Sequence, residues 1–167
     1  MAYRNKTYVS FDGDKDIQYY YLMKAWKASD HVDFNFYDAH DLNIARDSSQ
    51  EASIKGQLSE RLRSAKLVVV LIGESTKYLT KFVKWEMEQA IRLDIPIIAV
   101  NLNNHNGVDD LRCPPTIRNQ LCLHIPFKQK ALEWAIDNWT SIHGDLKAQN
   151  KIEPRVLSKD LSRKIGL

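Results

Sequence analysis

The chain has little of what several large function classes require. Its six glycines are scattered and form no GxGxxG, GxxxxGK[ST] or GxSxG. That removes the dinucleotide fingerprint, the P-loop and the nucleophile elbow. There is no HExxH, and His31, His40, His105, His124 and His143 lack metal-ligand spacing, so no metal is predicted. Only two cysteines occur, Cys113 and Cys122, too few for a disulfide framework and without zinc spacing. No apolar run approaches the roughly 18–20 residues of a membrane span. The N-terminus, MAYRNKTYVSF, has no apolar signal-peptide core. A cytoplasmic protein without membrane contact is the expectation. The 24 basic and 21 acidic residues leave a net charge of +3, too weak an excess to point to nucleic acid.

What is present is an alternation of strand and helix signals. Lys66–Asn101 shows it best. Leu67–Ile72 is a continuous apolar run closed by Gly73, and Ile95–Val100 is another. Between them Val83, Met87, Ala90 and Ile91 recur at helical spacing. Continuous runs of this kind mark strands buried on both faces. Thr7–Phe11 reads as a first strand ending in the turn Asp12-Gly13-Asp14, and Ile17–Ser29 as a helix with Tyr19, Leu22, Met23 and Trp26 on one stripe. Val32–Tyr37 alternates as a second strand. Ser48 or Ser49 can cap a helix bearing Ile54, Leu58, Leu62 and Ala65. Helix three is predicted at Lys81–Leu93 and strand four at Ile97–Asn101. A short helix at Thr116–Gln120, a fifth strand at Cys122–Ile125 and a helix at Lys128–His143 follow.

Successive β-then-α units predict an α/β, flavodoxin-like three-layer fold. It has a five-stranded parallel sheet of order 2-1-3-4-5 with helices on both faces. Residues 1–146 would form this domain. Residues 147–167 would be a charged extension, either a short extra helix or a loosely packed tail. In such a sheet ligands bind at the carboxyl ends of the strands, near the switch point between strands one and three. A phosphoreceiver shares the fold but needs an aspartate ending strand three, where this chain has Ile72-Gly73.

Three stretches together resemble the TIR (Toll/interleukin-1 receptor) superfamily, closest to the bacterial TIR-like group of Thoeris ThsB proteins. The first is Tyr8-Val9-Ser10-Phe11 followed by acids. The second is the loop Asp38–Ser49 at the BB-loop position. The third is Val70–Thr76 leading to Phe82-Val83-Lys84-Trp85-Glu86-Met87. The match extends over roughly residues 6–143 as a fold-level pattern. The loop lacks the Pro-Gly of many receptor TIR domains, which weakens the comparison with receptor–adaptor signalling.

The resemblance implies an NAD+-consuming enzyme of the glycohydrolase or ADP-ribosyl cyclase type. Its product would be an ADP-ribose-derived signal in anti-phage defence, coupled to a messenger-sensing effector. Glu86 would be the catalytic residue. Ser10, Phe11, Asp12, Asp38, Ser75 and Thr76 would contact NAD+, with Phe11 stacking on a ring. On spacing alone Glu86 is an ordinary solvated helix acid, and Phe11 divides evenly between core and pocket. The alternative is a non-catalytic TIR-like interaction module. Self-association through TIR surfaces fits either reading.

Overall fold

The computed structural model describes residues 6–30, 35–37 and 51–167. The strands are β1 (Lys6–Ser10), β2 (Asn35–Tyr37), β3 (Ala65–Ile72), β4 (Ile97–Asn101), β5 (Cys122–Pro126) and β6 (Arg155–Val156). The helices are α1 (Ile17–Asp30), α2 (Glu51–Arg63), α3 (Val83–Arg92), α4 (Pro115–Arg118), α5 (Gln129–Ala148) and α6 (Lys159–Lys164). A 3-10 turn, Thr76–Tyr78, precedes α3.

All strand pairs are parallel and the spatial order is β2-β1-β3-β4-β5-β6. The α/β flavodoxin-like architecture is therefore present, with one strand more than the five expected. The extra strand comes from the charged extension. Leu123 and His124 of β5 pair with Arg155 and Val156. The helix before it runs on to Ala148, past the predicted end at His143 and across the predicted boundary at residue 146.

Period-two alternation divides the sheet's side chains between two cores. Val9, Phe11, Leu67, Val69, Leu71, Ile98 and Val100 meet Tyr20 and Met23 of α1 and Leu132, Ala135 and Trp139 of α5. Tyr8, Val68, Val70, Ile72, Ile97 and Ala99 meet Leu58 and Leu62 of α2 and Val83, Met87 and Ala90 of α3. Every residue of β3 from Leu67 to Ile72 is at most 2% exposed, because helices cover both faces of the central strand.

Two details differ from the sequence expectation. Ala65 belongs to β3 and not to the preceding helix, which ends at Arg63. On α1, Tyr20 is buried while Leu22 is 43% exposed. Tyr20 stacks on Phe11 with centroids 4.9 Å apart, and that aromatic contact sets which side of the helix turns inward. The predicted strand residues 32–34 and the capping serines Ser48 and Ser49 lie outside the described residues.

Candidate functional site

The carboxyl edge of the sheet is assembled by local hydrogen bonds. β3 ends at Ile72, and Gly73 follows. The Gly73 N–H donates to Thr76 Oγ1 at 2.8 Å, and Thr76 Oγ1 donates to the Leu71 carbonyl at 3.3 Å. Thr76 is 1% exposed, so its hydroxyl stitches the strand end to the 3-10 turn. That fixes where α3 begins. On the neighbouring β1, the chain leaves Ser10 through Phe11 into a turn closed by Asp12. Its Oδ1 accepts from the N–H groups of Asp14 (3.0 Å) and Lys15 (3.3 Å), and its carbonyl accepts from the Asp16 N–H at 2.8 Å. Asp12 thus works as an Asx-type turn former.

Glu86 lies in the first turn of α3. The N-cap residue, Phe82, supplies no side-chain cap. A carboxylate here complements the partial positive charge of the helix start. It is not a solvated acid. Only 1% of it is exposed, and it shares the α2–α3 side of the sheet with Tyr8. Burial, then the negative charge of Glu86, holds the Tyr8 phenol well above its ordinary range, while Arg61 of α2 opposes. The phenol interacts with the carboxylate without meeting the geometry of a full hydrogen bond. Tyr8 lies two residues before Ser10 on the same face of β1, roughly 7 Å deeper into the sheet.

The sequence-predicted residues do not all converge. Ser10 is 1% exposed and its Oγ has no hydrogen-bond partner. Alternation along β1 places it on the Glu86 side. Ser75 precedes the 3-10 turn with its Oγ buried and unpartnered. Asp12 and Thr76 are occupied by the backbone bonds just described. Phe11 is 2% exposed and lies in the α1–α5 core. The ring expected to stack on a ligand stacks on Tyr20, across the sheet from Glu86. Asp38 lies outside the described residues.

Two residues at this edge were not singled out from sequence. One is Tyr8. The other is Asp16, which is 7% exposed and leaves Oδ2 without a partner. Its carboxylate sits against Gly73, where an added Cβ would collide with it. Burial, then the charges of Asp12 and Glu74, pushes Asp16 up to about 6, with Lys15 and Arg112 opposing. Arg112 also approaches Glu74, at 3.5 Å. Among the described residues no group of three or more His, Cys, Asp or Glu is arranged to hold a metal ion. The cysteines are buried free thiols, and burial pushes Cys113 up to about 11. Among those residues no helix is long and apolar enough to cross a membrane.

The family model for the Thoeris protein ThsB, TIR-like domain, matches residues 8–107, more than half of the chain. The chain belongs to the Thoeris ThsB TIR-like family. The matched span begins on β1 and closes in the loop after β4, so it contains Ser10, Asp16, Gly73, Ser75 and Glu86. It is shorter than the 6–143 over which the sequence resembles TIR domains. Strands β5 and β6 and helices α4 to α6 lie beyond it. No curated protein matches the chain.

Proposed function

We propose that this ThsB-family chain consumes NAD+ and releases an ADP-ribose-derived signal. Membership in the family supports a role in anti-phage defence. The observation that carries the enzymatic reading is Glu86. Its carboxylate is 1% exposed in the first turn of α3, and buried acids near the ligand-receiving edge of a parallel sheet are where functional sites concentrate.

The chemistry suits one such acid. Breaking the nicotinamide–ribose bond develops oxocarbenium character on the sugar. A fixed anion beside it stabilises that charge more in the transition state than in the ground state. Glycosidases direct carboxylates at the same kind of charge. Nicotinamide leaves as a neutral group, so no strong general acid is needed. Tyr8, whose phenol stays protonated far above neutral pH, lies near the Glu86 carboxylate and would serve as a donor to its anion on closer approach. With water excluded, the ribosyl cation is captured by an adenine nitrogen or another nucleophile; with water admitted, free ADP-ribose results. The product would act on a messenger-sensing effector.

The test is nicotinamide release from NAD+ by the purified protein, with and without a phage-infection trigger, followed by chromatography. Glu86→Gln keeps the shape and removes the charge, and should lower release by about 100-fold or more. Equal turnover by wild type and Glu86→Gln would overturn the reading.

A second reading, a non-catalytic interaction module, draws on a different observation. Tyr78 and Leu111 are 69% and 79% exposed, and Lys77 Nζ donates to the Leu111 carbonyl, tying the two turns together. A module would tolerate Glu86→Gln and lose function when Tyr78 and Leu111 are made polar.

A further inference from the structure

Where β1 and β3 end side by side, three buried side-chain oxygens have no hydrogen-bond partner: Asp16 Oδ2, Ser10 Oγ and Ser75 Oγ. Asp16 and Ser10 are 7% and 1% exposed. Orphaned buried polar atoms are uncommon in folded proteins, and each one calls for an explanation. These three come from separate segments, the end of β1, the start of α1 and the turn after β3. All lie beside the switch point between β1 and β3, where an open parallel sheet receives its ligand. Asp12 and Thr76, which neighbour them on the same segments, are already committed to backbone bonds.

We propose that Asp16 is a ligand-binding carboxylate that accepts hydrogen bonds from the hydroxyl groups of a ribose, with the Ser10 and Ser75 hydroxyls completing the polar contacts. This deepens the NAD+ reading and rests on it for the identity of the sugar. The chemistry of the edge selects the class of group. A carboxylate offers acceptors only, and serine hydroxyls donate or accept, which suits a neutral diol. Asp12 and Glu74 add negative charge beside Asp16, with Lys15 and Arg112 opposing. The pyrophosphate of the same ligand is therefore directed away from this point. No carboxylate or histidine cluster suits a metal among the described residues.

The packing carries a signature that a purely structural residue lacks. Gly73 must be glycine for the carboxylate to sit where it does. Burial and the neighbouring acids disfavour the Asp16 anion at neutral pH. Asp16→Asn should therefore leave melting temperature unchanged or raise it at pH 7.5, while weakening ligand binding. A residue kept for the fold alone would show the reverse.

The experiment is calorimetric titration of the full chain with ADP-ribose, with melting temperature and nicotinamide release read on the same samples. Wild type should bind, more tightly at pH 7.5 than at pH 5. Asp16→Asn should bind about tenfold or more weakly, with the pH dependence reduced. Gly73→Ala, which displaces the carboxylate and keeps its charge, should show a similar loss and decides the matter if Asp16→Asn does not fold. Binding unchanged in both variants, or no binding of ADP-ribose by wild type, overturns the proposal. Binding that depends on Asp16 without nicotinamide release removes the enzymatic reading and leaves the sugar site. Release that is indifferent to both variants does the opposite.

Discussion

Two buried titratable groups oppose each other in how they couple stability to pH. His124, in β5, is 1% exposed and neither ring nitrogen has a hydrogen-bond partner. Burial pushes it down to about 4 from an ordinary 6.5. The fold holds it neutral, so its contribution is complete above pH 6.5 and is lost as pH falls towards 4, where only the unfolded chain takes up the proton. Asp16 runs the other way. Its folded value of about 6 lies above the ordinary 3.8. Its contribution is therefore complete below 3.8 and is lost as pH rises through 6. Between pH 7.5 and pH 5, linkage gives a loss of about 2 kcal/mol from His124 and a gain of about 1 kcal/mol from Asp16. His143, pushed down chiefly by burial with Asp94 opposing, adds to the His124 side. Glu51 and Asp109 are held below their ordinary values and titrate below this window. Urea titration followed by tryptophan fluorescence should show a shallow acid-side loss in wild type. Asp16→Asn should steepen it by about 1 kcal/mol, and His124→Leu should abolish it and turn it towards an acid-side gain of up to about 1 kcal/mol, offset in part by His143. His124→Leu should also raise stability at pH 7.5 by about 1 kcal/mol, because an unpartnered imidazole leaves the interior. A His124→Leu curve parallel to wild type would refute the assignment.

Thr76→Val keeps the shape of a side chain that bonds both Gly73 N–H and Leu71 carbonyl. It should lower unfolding free energy by about 2 kcal/mol in the same titration, and a loss below about 0.5 kcal/mol would show that the stitch is dispensable. Tyr8→Phe removes the hydroxyl that faces Glu86. It should lower nicotinamide release roughly tenfold with the far-ultraviolet circular dichroism unchanged; undiminished release would mean that the phenol does not assist the acid.

The elements that were legible are those whose signal is local. β3 and β4 are apolar runs bounded by Gly73 and by polar loops, and burial on both faces is what such runs encode. Leu132, Ala135, Ile136 and Trp139 stood at helical spacing and are buried. β6 was not legible, because Arg155-Val156 has neither length nor alternation and becomes a strand only by pairing with Leu123 and His124. Phe11 could have been placed. Counting by twos from Val9 sends it to the opposite face from Tyr8 and Ser10. The depth of Glu86 could not, since Lys84 and Glu88 on the same helix are exposed and the three differ only in angular position. Asp16 meets Gly73 across more than fifty positions of chain, a contact that no local pattern records.

The pairing of β6 beside β5 has a consequence for synthesis. A nascent chain that has emerged as far as Pro126 can build β1 to β5, but the outer side of β5 stays without its neighbour until Arg155 and Val156 follow. For about thirty residues of elongation, a second or more at ordinary ribosome speeds, that strand presents unmet backbone donors and acceptors. Exposed edges of this kind recruit other chains. The short strand from the charged extension acts as a stopper fitted last, and its timing bears on how much of this protein reaches its folded form alone.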